Sequence, residues 1–256
     1  YIKELNNSIF YFYWGLGWST ILLNDIDKTN KTFVRVHGGE VFLDRSNGYI
    51  PINYKVFHSC DNLISISDKL SNYLQKVYGI QKSKIFVSRL GVRIEERTRE
   101  TIHKLNNGIC LVSSSNVIPL KRIHLIIEAL ALIKNISVAW YHFGDGPEIK
   151  KMKTLAKKRL RSNIKYKFHG RLENKALLKF YEENYIDAFL NVSAHEGLPV
   201  SIMEAMSYKI PVIATDVGAT SEIVNFENGS LLSKNFEIPE LTKIILSLKS
   251  ETWIKK

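Results

Sequence analysis

The sequence predicts an α/β protein made of two Rossmann-like, doubly wound parallel sheets. Three observations carry that prediction. Short apolar, β-branched runs alternate with helix-length segments along the whole chain, as parallel strands joined by crossover helices require. The alternation occurs twice, on either side of a polar stretch, 93–107, that has no strong period. The loops leaving the strands hold Gly-rich and charged words, and open parallel sheets bind ligands outside the carboxyl ends of their strands. The domain boundaries follow: residues 1–92, a linker over 93–107, and a second domain over 108–256.

The chain of 256 residues is long enough for two such cores. Residues 8–13 read as a buried strand from their aromatic and β-branched content. The loop Trp14-Gly15-Leu16-Gly17 lacks the third glycine of a dinucleotide fingerprint. A short helix over 19–27 leads to a strand over 32–36, which ends in His37-Gly38-Gly39-Glu40. Residues 52–60 read as a helix and 62–66 as a strand. Ser67 reads as the N-cap of a helix that Gly79 stops, and 84–88 as the next strand.

In the second half, 109–113 reads as a strand. Pro119 opens a helix whose apolar face is Ile123, Ile126, Ile127 and Leu130. The strand over 138–143 is closed by Gly144-Asp145-Gly146-Pro147, and a basic helix spans 148–161. Strands over 165–169, 186–192, 211–215 and 230–232 then alternate with helices over 174–183, from Pro199, a short one near 217–222, and 239–248.

The net charge is +11. Nucleic acid, an anionic membrane surface and a polyanionic substrate all fit such a balance. No helix-turn-helix, RNP or zinc-finger pattern is present, so nucleic acid is the weakest of the three. No apolar run approaches the roughly 20 residues of a membrane-spanning helix. Cys60 and Cys110 lie in no metal or redox spacing and read as free thiols.

The most informative word runs from Ser193 to Ser207. A buried strand turns at Glu196-Gly197, and Pro199 starts a helix whose free amides suit an anion. Glu196 and Glu204 bracket that turn. A phosphate pocket with carboxylates at its rim suits an anion that also carries hydroxyls, such as a nucleotide sugar.

With these loops laid out, the chain resembles the retaining glycosyltransferases of family 4, the glycosyl transferases group 1 class. The matching words are Ser114 to Arg122, Phe143 to Glu148, Phe168-His169-Gly170, Glu196-Gly197-Leu198-Pro199 to Glu204, and Pro211 to Gly218. Residues 1–92 match more loosely, through Tyr13-Trp14, Arg35 to Gly38 and Ser88 to Val92. The resemblance implies the GT-B architecture, with 1–92 as the C-terminal part of an acceptor-side domain and 108–256 as the nucleotide-sugar domain. It implies retaining, metal-independent transfer from a UDP-, GDP- or ADP-sugar to a glycan or lipid-linked acceptor, in cell-surface polysaccharide or lipopolysaccharide synthesis. No cofactor is expected. The expected place is the cytoplasm, with peripheral contact at the anionic inner face of the plasma membrane. A non-catalytic nucleotide-sugar-binding subunit and a nucleotide-sugar epimerase of the same fold are the alternatives.

The resemblance assigns catalytic roles to His37, Lys121 and Glu196. It places Glu196 at the donor sugar, Glu204 at the ribose, and Lys121 at the diphosphate. Gly197, Leu198, Pro199 and Val200 hold donor hydroxyls and phosphates. Gly170, Arg171 and Leu172 read the base. Gly144 and Gly146 join the donor loops. The family often has Arg where this chain has Ser115, and Arg122 is expected to supply that cation. Glu40 stands where Asp is frequent, and Lys209 where Gly is frequent. No Asp-x-Asp metal pair is seen outside Asp25-Ile26-Asp27 on a surface segment. The family's opening strand before Tyr1 and its closing helices after Lys256 are expected to be missing. On that expectation the chain alone is inactive or poorly folded.

Overall fold

A computed structural model describes residues 4–43, 48–50, 52–93 and 108–249. The linker expected over 93–107 lies outside these apart from Arg93. The described residues fall into two compact units, one from Tyr1–Leu90 with Glu196–Leu198 and one from Gly91–His195 with Pro199–Lys256.

The first unit holds four parallel strands in the order β1 (Ile9–Phe12), β2 (Lys31–Val36), β3 (Asn62–Ser65) and β4 (Ile85–Val87). Helices α1 (Trp18–Leu22), α2 (Asn53–Ser59) and α3 (Asp68–Tyr78) connect them. Its buried residues include Val34, Val36, Phe57, Leu63, Leu70 and Leu74. The caps of α3 are those read from sequence. Ser67 Oγ accepts the Leu70 amide at 3.1 Å, and Gly79 takes φ 68°, the left-handed turn that ends a helix. The strand read as buried over 8–13 is corrected. Among the described residues β1 is the outer strand of its sheet, and Ile9 is 73% exposed. Aromatic and β-branched content reports fit to a pleated surface, and it does not distinguish an edge from a centre.

The second unit holds six parallel strands: β5 (Ile109–Ser114), β6 (Val138–Phe143), β7 (Ile164–Gly170), β8 (Ala188–Asn191), β9 (Val212–Thr215) and β10 (Gly229–Leu232). Their order is β10-β9-β8-β5-β6-β7, the Rossmann order, and it reverses between β5 and β8. Two apolar clusters cover the two faces. Helices α4 (Ile123–Ala131), α5 (Ile149–Arg159) and α8 (Ile238–Ser247) contribute Ile126, Ile127, Met152, Ala156 and Leu241 to the first, with Leu111, Trp140 and Leu190 from the strands. Helices α6 (Asn174–Glu183) and α7 (Val200–Ser207) contribute Leu177, Tyr181, Ile202 and Ala205 to the second, with Val112, Phe189 and Ala214. Phe189 and Leu190 thus serve opposite faces, the period-two alternation of a strand.

Two helix starts differ from the sequence reading. Pro119–Lys121 form one turn of 3-10 helix, Arg122 takes φ 49°, and α4 begins only at Ile123. Pro199 is the extended residue before α7 rather than its first residue. Lys209 at φ 55° fills the left-handed position where glycine was expected. Cys60 and Cys110 form no disulfide among the described residues, and burial pushes the Cys60 thiol up to about 11. No helix among the described residues is long and apolar enough to cross a membrane.

Candidate functional site

The reversal between β5 and β8 opens a crevice at the carboxyl ends of the second sheet, because chain leaving the two neighbours departs in opposite directions. A cavity of about 320 Å³ lies there. The end of β5 lines it with Ser114, Ser115 and Asn116, and the end of β6 with Phe143 and Gly144. Arg171 and Leu172 follow β7, Leu177 comes from α6, Ser201 from the first turn of α7, and Lys121 from the 3-10 turn. Of the residues singled out in the sequence, Lys121, Gly144, Arg171 and Leu172 are therefore brought together. Ser114, Asn116, Leu177 and Ser201 were not singled out, although each of the first two stands at a strand end.

Close backbone packing holds the walls. The amide of Ser115 donates to Phe143 O, and that of Val117 to Asp145 O, both at 2.9 Å. A Cβ on Gly144, whose φ is 134°, would lie 1.9 Å from Ser115 O, and one on Gly146 would lie 2.6 Å from Val117 O. These two glycines are needed because two loops touch through their main chains. Gly146 is not on the cavity wall, and Gly170 takes part through its carbonyl, which accepts the Gly144 amide at 2.8 Å. Behind the wall, Ser113 Oγ accepts Trp140 Nε1 at 3.0 Å and lies 2.9 Å from His142 Nδ1. Burial drives the His142 imidazole down to about 4, so it is neutral near pH 7.

Lys121 and Arg122 are neighbours with different surroundings. Arg122 Nε donates to Val192 O at 2.6 Å, Nη1 to Lys234 O at 2.7 Å and Nη2 to Ser193 O at 3.1 Å. Its guanidinium also lies over the Phe236 ring, 5.6 Å from the centroid. Three of its donors are thus spent on backbone carbonyls, and burial lowers its pKa. The loop after β8 is further fixed by Thr215 Oγ1 donating to Ser193 O at 2.6 Å and the Ala194 amide donating to Leu120 O at 2.8 Å. This positions the start of α7, which no side chain caps. First-turn amides of that kind are natural donors to an anion.

Glu204 lies one turn inside α7, beside Val200. Its Oε1 accepts Asn174 Nδ2, the first residue of α6, at 2.7 Å. Burial raises its carboxyl, and the Asn174 bond works against that rise. Tyr181 from α6 is fully buried; burial raises its phenol, and the Glu204 charge adds to the rise. Asn174 was not picked out from sequence, and no spacing signal marks it.

In the first unit, His37 has Tyr13 and Trp14 against its ring at 4.7 and 4.1 Å. Gly38, at φ 101°, turns the chain so that Glu40 folds back. The Glu40 carboxylate accepts the His37 amide at 2.9 Å and lies 3.5 Å from His37 Nδ1. Burial works to raise the Glu40 carboxyl, but its bonds to His37 outweigh this and hold it below the usual range. Glu40 thus fixes the main chain at His37 and brings a carboxylate near its ring. Glu196 and Gly197 are half-buried, and Leu198 and Pro199 are buried. Among the described residues no cluster of three or more His, Cys, Asp or Glu side chains is placed to hold a metal.

The family model described as glycosyl transferases group 1 matches residues 95–255. The chain is 29% identical over 195 residues to WcaL of Escherichia coli (strain K12), a protein named for colanic acid biosynthesis; the match covers 74% of this chain and 48% of that one. It is 32% identical over 139 residues to a poly(ribitol-phosphate) alpha-N-acetylglucosaminyltransferase of Staphylococcus aureus (strain COL), covering 52% of this chain and 27% of the relative. The chain spans about half the length of WcaL. Among solved structures it is similar to the lipopolysaccharide outer core galactosyltransferase WaaB, with TM-score 0.77 and 20% identity over 98% of this chain and 68% of that one. It is also similar to Anabaena HepE in complex with UDP-glucose, with TM-score 0.68 and 19% identity over 87% of this chain and 64% of that one. The fold is the GT-B class of parallel-sheet units.

Proposed function

From a chain that belongs to the glycosyl transferases group 1 family, we propose a glycosyltransferase that binds a nucleoside-diphosphate sugar in the crevice of its second unit. The sugar passes to a glycan or lipid-linked acceptor in cell-surface polysaccharide synthesis, as the names of the relatives suggest. The protein works in the cytoplasm, peripherally at the inner face of the membrane. One observation carries the reading: the cavity at the sheet reversal brings a lysine and the uncapped start of a helix to one place.

The chemistry follows from where charge develops. Breaking the anomeric C–O bond leaves positive charge on the sugar and negative charge on the departing diphosphate. A preorganised cation and oriented amides stabilise that anion without reorganising. Lys121 and the first-turn amides of α7 supply them, so no metal is required in this reading. Arg122 holds the loop instead of meeting the phosphates. Glu204, fixed by Asn174, takes the ribose hydroxyls. The transfer retains anomeric configuration.

Titration calorimetry with UDP, GDP and ADP tests the donor site. One of them should bind to the wild-type chain. Lys121→Ala should weaken that diphosphate about tenfold or more, and the matching monophosphate much less, since charge-assisted bonds of this kind are worth about 1.5–3 kcal/mol. Equal losses for the two nucleotides, or no binding to wild type, overturn the assignment. Activity dependent on added divalent cation would overturn metal independence, and an inverted anomer in the product would overturn retention.

A further inference from the structure

Helix α5 carries the densest charge in the chain. Between Glu148 and Arg161 stand seven cationic side chains and a single carboxylate, more than half of the net +11. At about 100° per residue, an arc of about 160° on α5 holds Lys150, Lys151, Lys153, Thr154, Lys157 and Lys158 and nothing else. Met152 and Ala156 lie opposite, in the core cluster. All five lysines are exposed. Two nearby cations have carboxylate partners: Arg159 Nε is 2.9 Å from Glu128 Oε2, and Lys151 Nζ is 3.3 Å from Glu148 Oε1. Lys150, Lys153, Lys157 and Lys158 form no ion pair among the described residues.

We propose that this lysine face of α5 docks the protein on an anionic phospholipid membrane. Charge complementarity names the occupant. A polybasic face of this size is drawn to a negatively charged leaflet, and the attraction per lysine is appreciable close to the surface. The residue type narrows the choice further. Lysine is a hydrated point charge on a flexible stem, suited to the diffuse field of a headgroup plane. The face is the convex side of one helix and carries no aromatic ring on which a base could stack, unlike surfaces for single-stranded nucleic acid. Its apolar side is already used by the core, so α5 does not insert between lipids. The contact is electrostatic and is screened by salt. The proposal leans on the reading of a membrane-borne acceptor only for its biological purpose, and its test needs neither donor nor acceptor.

The test is co-sedimentation of the full chain with vesicles of phosphatidylcholine alone and with about one-third phosphatidylglycerol. It is run at low salt and again at about 0.3 M, where the Debye length falls to about 6 Å. Binding is expected only to the anionic vesicles, and it should fade at the higher salt. The variant Lys150→Gln, Lys153→Gln, Lys157→Gln should lower the partition coefficient about 100-fold. A variant with the same charge loss elsewhere, Lys28→Gln, Lys55→Gln, Lys76→Gln, should keep most of the binding. No binding to anionic vesicles, equal losses in both variants, or capture by soluble heparin without vesicle binding would each overturn the proposal. Unchanged melting temperature and nucleoside-diphosphate affinity in the first variant separate this outcome from failure of the functional reading. That reading fails instead if wild type binds vesicles but no nucleotide.

Discussion

The two sheets are built from the same kind of unit, yet their strands run in different orders. In the first, four strands follow one another across the sheet in chain order, β1-β2-β3-β4. In the second, the chain builds β5, β6 and β7 outward, returns beside β5, and builds β8, β9 and β10 the other way. The reversal makes the cavity, because only there do loops from neighbouring strands diverge. The strands differ in the same sense. Among the described residues β1 is an outer strand with Ile9 and Tyr11 exposed, while all four residues of β8 are buried. An apolar run in a sequence therefore identifies a strand but not its rank within the sheet.

The largest predicted effect tests that difference in rank. Phe189 on β8 is fully buried between α6, α7 and the sheet. Phe189→Ala should cost about 3–5 kcal/mol of unfolding free energy in urea titration. Ile9→Ala, on the exposed outer strand, should change it by less than about 0.5 kcal/mol. Similar losses at the two positions would mean that β1 is as central as β8.

A second contrast lies beside the crevice, between adjacent cations. Arg122→Ala removes three donors from the carbonyls of Val192, Ser193 and Lys234 and the contact with Phe236. About 2–3 kcal/mol of stability should go with it, since carbonyls are left without partners. Lys121→Ala should cost less stability and more nucleotide affinity. Thermal melts beside calorimetry read both quantities, and the reverse pattern would exchange the roles of the two residues.

The sequence made some of this legible. Strand and helix alternation is a matter of period, and it placed every strand end that lines the cavity, together with the Ser67 and Gly79 caps. The resemblance, and not the period, marked Lys121, Arg171 and Leu172. What stayed hidden depends on contacts distant in the chain. Nothing local to Gly144 says that Ser115 O lies where its Cβ would be. Nothing local to Arg122 says that its donors reach carbonyls 70, 71 and 112 residues away. A glycine loop and a cation have the same sequence appearance whatever protein contacts they make, so these contacts had no local signal. Asn174 was invisible for a related reason: its importance lies in Glu204, 30 residues on.

The smallest effect bears on that pair. Burial raises the Glu204 carboxyl above the ordinary glutamate value of 4.5, against the pull of the Asn174 bond. For an acid with a raised folded pKa, the stabilising contribution is complete below the unfolded value. It is lost as pH rises through the folded value, because the folded state must then ionise a half-buried group. At neutral pH the charge of Glu204 is therefore a cost to the fold. Glu204→Gln keeps an oxygen for Asn174 Nδ2 and removes that cost. The variant should melt slightly higher than wild type at pH 7, by an amount under about 1 kcal/mol after solvent screening. The advantage should vanish as pH falls below 4.5. If the ribose reading is right, the same variant binds nucleoside diphosphate more weakly, so stability and affinity move in opposite directions. A variant that is less stable at pH 7, or whose difference from wild type is independent of pH, would mean that Glu204 is held for the fold and not for a ligand.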